Sequence, residues 1–126
     1  MRIIDPPADR GTNHPGLDLD TLLETSLSSG HRIIIGRAVI RPGTRIPPAD
    51  SGTHHEDELS YICKGSLTAW SGGQVYLLTA GQSTFIPAGE RHWCQNDGDT
   101  AVELVYVLLP QVSGERPDFE SDPPLG

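Results

Sequence analysis

The chain of 126 residues contains little cysteine and few aromatic residues, and it has no long apolar run. Its two cysteines, Cys63 and Cys94, are too few for a disulfide framework and too far apart for a CxxC redox or zinc pair. No stretch approaches the roughly 18 apolar residues of a membrane span, and the first residues lack the apolar segment of a secretory signal. We therefore expect a cytoplasmic protein with no membrane partner.

Basic residues are also scarce, because 9 Lys and Arg stand against 17 Asp and Glu, for a formal net charge of -8. Such a chain has no positive field with which to hold phosphate backbones, so we expect no nucleic acid partner. Turn-forming residues are abundant instead, with 14 Gly and 11 Pro. This composition is typical of short elements joined by many turns and disfavours a helical bundle.

The chain divides by composition into three segments. Residues 1–16 and 111–126 are rich in Pro and Gly and poor in apolar side chains, which predicts an extended N-terminal arm and a mobile acidic tail. Residues 17–110 form one core without a repeat, and their short apolar runs at roughly ten-residue spacing predict an all-β antiparallel sandwich or barrel. These runs are Arg32–Ile40, Leu59–Cys63, Leu67–Trp70, Gln74–Leu78, Ser83–Ile86, His92–Gln95 and Ala101–Leu109.

One segment of this core, Leu17–Leu27, has leucines at a spacing that fits a helix as well as a strand. The turn residues Ser28-Ser29-Gly30 that follow would join a strand at 21–27 directly to the next one. An all-β neighbourhood favours the strand, so we predict a hairpin here.

The most specific motif is G-x5-P-x-G-x2-H-x3-N, which runs from Gly81 through Pro87, Gly89 and His92 to Asn96. It predicts a strand, a turn that uses the fixed φ of proline and the freedom of glycine, and a second strand with an early histidine. The motif resembles the second signature of the cupin superfamily at every fixed position. The resemblance implies a single-domain cupin β-barrel of jelly-roll type, commonly a homodimer, with a metal near its middle.

The first cupin signature resembles the upstream motif His54-x3-Glu58-x6-Gly65. In the family this stretch holds His-x-His and then Glu, and these three bind a divalent metal together with the later His. Carried over by position, the resemblance implies His54, Glu58 and His92 as metal ligands, while Gly52 stands where the first family histidine should be. The candidate substitutes are His55, Glu56 and Asp50, and His55 can join His54 only where the strand bulges, since neighbours on a regular strand face opposite ways.

Such a ligand set suits Fe, Mn, Ni, Co or Zn, and it does not indicate which of these metals is bound. The family contains dioxygenases, decarboxylases, lyases and isomerases, so the resemblance implies an enzyme acting on a small oxygen-rich organic molecule. We predict dioxygenase or lyase chemistry, with Glu58 as the residue of proton transfer. The alternative is a non-catalytic small-ligand-binding cupin with an incomplete metal site, which Gly52 supports.

Strand alternation suggests what surrounds this site. If Glu58 faces inward, Ser60 does too, and His92 is followed on the same face by Cys94 and Asn96. Arg91 precedes a ligand, and its guanidinium fork matches a carboxylate. We therefore predict Ser60, Cys94 and Arg91 as substrate-binding residues. The same alternation places Tyr61 and Trp93 on the opposite face, where packing between sheets or across a dimer interface is their expected role and lining the pocket is the alternative.

Overall fold

The computed structural model describes residues 1–6 and 11–110. The predicted acidic tail, 111–126, lies outside the described residues. Ten strands form in the described part: β1 (Gly11–His14), β2 (Leu17–Ser26), β3 (Arg32–Ile40), β4 (Arg45–Ile46), β5 (Glu56–Lys64), β6 (Ser66–Ser71), β7 (Gln74–Thr79), β8 (Ser83–Ile86), β9 (His92–Gln95) and β10 (Val102–Pro110). None of the described residues belongs to a helix long and apolar enough to cross a membrane.

The strands form two antiparallel sheets that face each other. The larger sheet has the order β1-β2-β3-β10-β5-β8, and the smaller has the order β4-β9-β6-β7. The predicted all-β class is confirmed, and β3, β8 and β9 have the predicted bounds. The two sheets remain separate hydrogen-bonded ladders rather than one closed barrel, and side chains from both inner faces fill the space between them.

The ambiguous segment is a strand, as predicted. β2 pairs with β3 from Leu17 opposite Ile40 to Ser26 opposite Arg32. Gly30 closes the turn between them with a φ of 92°, a value that favours glycine. The leucine spacing is compatible with a helix. Pairing with the Ile-rich strand β3 provides hydrogen-bond partners for the backbone of β2, and this pairing stabilises the strand.

The buried core lies between the sheets and comprises Leu17, Ala38, Ile40, Ile62, Leu67 and Val102. Asn96, the last residue of the Gly81–Asn96 motif, is fully buried beside it. Its amide nitrogen donates to the carbonyl oxygens of Ile40 and Thr100, each at 2.9 Å, and its Oδ1 accepts from the backbone of Gly98 at 3.0 Å. The inward orientation predicted for Asn96 is confirmed, and its role is to anchor the end of β9.

Candidate metal centre

Three of the predicted ligands meet between the two sheets. Donor atoms of His54, Glu58 and His92 all lie within 4.8 Å of one another. Glu58 comes from β5 of the larger sheet, His92 begins β9 of the smaller one, and His54 lies in the loop before β5. The two imidazole rings meet edge to face, with centroids 5.0 Å apart. The site therefore forms only when both sheets are in place.

Backbone carbonyls orient both imidazoles. Nδ1 of His54 lies 2.9 Å from the carbonyl oxygen of Glu56, and Nδ1 of His92 lies 2.9 Å from that of Glu90. A carbonyl only accepts, so Nδ1 carries the proton in each ring and Nε2 is left as the ligand atom. Metal-binding histidines are commonly fixed in this way.

The Nε2 atom of His54 is buried and has no hydrogen-bond partner. Oε1 of Glu58 lies 3.6 Å from it, which is longer than a hydrogen bond, so the two groups interact mainly through charge. Glu58 is the main cause that raises the pKa of His54, with Glu56 adding to it and burial opposing it. A buried imidazole nitrogen without a partner, next to a carboxylate, fits a divalent metal ion.

Gly52 occupies the place where a fourth ligand would stand. Its backbone exchanges two hydrogen bonds with His92, at 3.0 and 2.9 Å, so the two residues are directly opposite. Side chains of such a pair project to the same face of the sheet. The nearest atom to a Cβ at position 52 would be Cγ of Pro47, at 3.7 Å, which is ordinary contact. A side chain would therefore fit there beside His92.

None of the three proposed substitutes joins the described cluster. His55 is exposed and does not belong to the described cluster, although it adjoins His54 in the loop before β5. The Glu56 carboxylate lies 3.5 Å from Nδ1 of His54, on the far side of that ring. Asp50 lines a separate cleft. The structure thus assembles a three-ligand set and leaves His55 out.

Comparison with known proteins agrees with the motifs. A family model described as the cupin domain matches residues 36–108. The chain belongs to the cupin-domain family. This cupin is 30% identical over 109 residues to polyketide synthase CurC from Streptomyces cyaneus, covering 86% of this chain and 70% of that protein. It is 32% identical over 90 residues to the xanthan biosynthesis protein XanB of Xanthomonas campestris, but spans only 19% of XanB.

Solved structures show the same fold. The cupin superposes on KdgF from Halomonas sp. with a TM-score of 0.68 and 14% identity, covering 84% of this chain and 91% of that one. It superposes on a predicted oxalate decarboxylase from Thermotoga maritima with a TM-score of 0.64 and 25% identity, covering 86% and 94%.

The ligands lie in the wall of a cavity of about 400 Å³. Most of that wall is apolar, and much of it is formed by Leu17, Ala38, Ile40, Ile62, Leu67 and Leu104. Ser60 and Cys94 also line the cavity, as their alternation with the ligands predicts. Burial, with the nearby Glu58 charge, raises the pKa of Cys94 to about 12, so Cys94 is a neutral thiol in this wall.

Two further residues lie at the edge of the cavity or beyond it. Arg91 is not part of the cavity wall, because its guanidinium turns outward and donates from Nε to Oγ of Ser51 at 2.8 Å and from Nη2 to the carbonyl of Ser51 at 2.7 Å. Trp93, expected on the opposite face, lies at the rim, where it lines both the cavity and a neighbouring cleft. The indole is wide enough to reach the cavity from a strand position whose neighbours point inward.

Sequence reasoning missed Tyr106, which lines the cavity from β10. Burial and the charges of Glu58 and Asp20 raise its pKa, so its hydroxyl keeps its proton near neutral pH. Its ring lies across Gly36 on the neighbouring strand, and a Cβ at position 36 would overlap the ring. A glycine inside the Ile-rich run of β3 was the available signal, since such a glycine marks a close approach.

Proposed function

We propose that this cupin is a metal-dependent enzyme that acts on an oxygenated organic molecule with a largely apolar body. The supporting observation is the cluster of His54, Glu58 and His92 in the wall of an apolar cavity, with Nε2 of His54 buried and unsatisfied. These three residues would hold one ion of Fe, Mn, Ni, Co or Zn. A bound ion would supply Lewis-acid or redox chemistry, with positions left open for a substrate oxygen.

The residues around the ion have separate roles in this proposal. The apolar wall holds the carbon skeleton and excludes water, which strengthens charge interactions at the site. Glu58 holds the ion and moves a proton at the substrate, while Ser60 and Cys94 contact the substrate from the wall. The Tyr106 hydroxyl, held in its neutral form, is a hydrogen-bond donor for a substrate oxygen. Dioxygenase and lyase reactions are the two reaction types proposed.

The relative named polyketide synthase CurC points to a substrate class. Polyketide chains carry several ketone or enol oxygens on a carbon skeleton, and two neighbouring oxygens of this kind suit a metal with adjacent open positions. Their apolar remainder suits the cavity wall. We therefore propose 1,3-dicarbonyl and polyhydroxylated aromatic compounds as the substrates.

The test combines metal content with turnover. The wild type, His92→Ala and His55→Ala are loaded in parallel with each of the five metals and analysed for bound metal. Oxygen uptake with a panel of 1,3-diketones and polyhydroxynaphthalenes detects an oxygenase, and mass analysis of anaerobic reactions detects a lyase. We expect about one ion per chain in the wild type and in His55→Ala, with metal and turnover lost together in His92→Ala. A wild type that binds none of the five metals would overturn the proposal.

The second candidate function is a non-catalytic binding protein for the same class of molecule. Gly52 favours it, because the ligand set is one histidine short of the family pattern. Ligand binding that is equal in the wild type and His92→Ala, without turnover by either, would establish this function in place of the first.

The predicted homodimer and cytoplasmic location stay predictions. An apolar patch suited to a second copy lies on the outer face of β5 and β8, where Leu59, Tyr61 and Phe85 are 41%, 50% and 50% exposed. Light scattering of the full chain should give the mass of two chains for the wild type, and a lower mass for Phe85→Asp. Val75→Asp, at an exposed site on the other sheet, is the matched control, and a wild-type mass of one chain would contradict the homodimer.

A further inference from the structure

A second concavity adjoins the metal cavity. It is an open cleft of about 390 Å³ lined by Arg45, Asp50, Ser51, Trp70, Arg91 and Trp93. Trp70 and Trp93 are directly opposite each other on β6 and β9, and both also line the metal cavity. The two indoles therefore form a shared wall, and a ligand longer than the cavity would pass them to reach the cleft.

The arginines of this cleft differ in their partners from the arginines on β3 and directly after it. Arg32, Arg37 and Arg41 each form an ion pair with a carboxylate. Arg45 and Arg91 donate only to backbone carbonyls and one hydroxyl, and no carboxylate among residues 1–6 and 11–110 forms an ion pair with either. The cleft holds these two guanidinium groups against one carboxylate, that of Asp50. It is locally positive in a chain whose formal net charge is -8.

Both guanidinium groups are held in place before any ligand arrives. Arg45 donates to the carbonyls of Pro47 and Asp50 at 3.2 and 2.8 Å, and its guanidinium carbon lies 4.7 Å from the centre of the Trp93 ring. Arg91 is tethered to Ser51 by two hydrogen bonds. These contacts use two of the five N–H groups of each arginine, so three remain as donors on each. Donors that are already ordered bind an anion at a smaller entropic cost.

We propose that this cleft is a binding subsite for a carboxylate carried by an aromatic ligand whose ring lies against Trp70 and Trp93. Guanidinium groups bind carboxylates through charge-assisted and often paired hydrogen bonds, and indole faces accept planar rings. The inference rests on the proposed function, because it assigns the outer end of the same ligand. It narrows the substrate class to acidic aromatic molecules.

The test uses calorimetric titration of the full chain as purified with two probes of equal shape, naphthalene-2-carboxylate and naphthalene-2-carboxamide. We expect the carboxylate to bind about tenfold more tightly than the amide, and this selectivity to weaken with added salt. Arg91→Gln and Arg45→Gln should each remove most of the selectivity. Arg32→Gln, which removes an ion-paired arginine on β3, is the matched control and should retain it.

Two further variants separate a binding role from a purely structural one. Ser51→Ala removes one tether of Arg91 but retains its charge, so the selectivity should fall much less than in Arg91→Gln. Equal losses in the two variants would mean that the loop shape, and not the guanidinium, was responsible. His92→Ala should lose metal and keep the selectivity, so failure of the metal site and failure of the subsite are distinguishable. Equal affinity for the two probes, selectivity that survives both arginine variants, or no binding of the carboxylate at millimolar concentration would overturn the proposal.

Discussion

The two segments that carry the candidate histidine ligands hold their imidazoles in position in different ways. In both, a backbone carbonyl two residues away holds Nδ1 at 2.9 Å. The segment 81–96 includes β9, which pairs with β4 and β6 and is followed directly by the buried Asn96. The segment 47–58 reaches His54 through a loop held by the Arg45 and Arg91 side chains, by the bridge at Gly52 and by the Gly89 amide, which donates to the His54 carbonyl at 2.8 Å.

This difference shows which part of the metal site can vary without changing the fold. His92 is fixed by a sheet ladder, so its position follows from the backbone of the whole smaller sheet. Position 52 contributes only backbone hydrogen bonds, so its side chain is free to be present or absent. Position 52, where the fourth family ligand is missing, lies in the segment 47–58, and a substitution there disturbs less packing than one in the segment 81–96.

The largest effect is expected for Glu58→Gln, which removes the carboxylate of the cluster. Substitution of a residue that only hydrogen-bonds to a metal ligand typically weakens metal affinity by about 10–100-fold. Loss of a ligand itself should therefore weaken metal affinity by about 100-fold or more. Competition with a chelating dye measures the metal affinity. Glu56→Gln is the matched control, because its carboxylate lies on the Nδ1 side of His54 and should change affinity by less than about tenfold. Equal losses in the two variants would place Glu56 in the ligand set.

A second prediction concerns the segment 81–96. Asn96→Ala leaves the Ile40 carbonyl buried without its donor and also removes the part-buried hydrogen bond to the Thr100 carbonyl, which should lower the free energy of unfolding by about 3 kcal/mol. Urea unfolding measures this, and bound metal in the folded variant should match the wild type. Gln95→Ala, which removes a hydrogen bond to Asp97 at the surface, should lower it by only about 0.5 kcal/mol. Similar values for the two variants would contradict an anchoring role for Asn96.

Gly52→His tests directly whether a histidine at position 52, in the segment 47–58, can supply the missing fourth ligand. The φ of Gly52 lies outside the left-handed region and a Cβ there meets only ordinary contacts, so folding should be preserved. An imidazole opposite His92 should add a fourth ligand and tighten metal binding by about tenfold. Gly52→Ala, which adds a side chain without a ligand atom, should leave the affinity unchanged. A tightening in both variants would point to the loop backbone instead.

The pH dependence of metal binding should reveal the carboxylate beside His54. Because Glu58 raises the pKa of His54 above its usual 6.5, the imidazole holds its proton at a higher pH than an ordinary histidine does. Metal must displace that proton, so affinity should be full above the raised pKa and decline as the pH falls through it, by about tenfold for each further unit. Dye competition at a series of pH values measures this. A decline that begins only below pH 6 would contradict the raised pKa.

The positions of most strands were predictable from sequence because they depend on short-range patterns, and the three candidate ligands followed from the resemblance to the cupin signatures. Alternating apolar residues between Gly and Pro turns identified most strands, and the motifs around His54, Glu58 and His92 identified the ligands. Leu17–Leu27 was harder, since its spacing fits two structures and only the pairing with β3 selects one.

By itself the sequence determined the all-β class and placed Ser60 and Cys94 on the same strand faces as Glu58 and His92, because period-two alternation is a local property of a strand. The resemblance to the cupin signatures added the candidate ligands His54, Glu58 and His92. Tertiary structure alone decided that His55 stays outside the site, that Arg91 joins Arg45 in a separate cleft, and that Tyr106 and the two indoles line the cavity. Those outcomes depend on which strands become neighbours across two sheets, and residues far apart in sequence carry no local signal of that pairing.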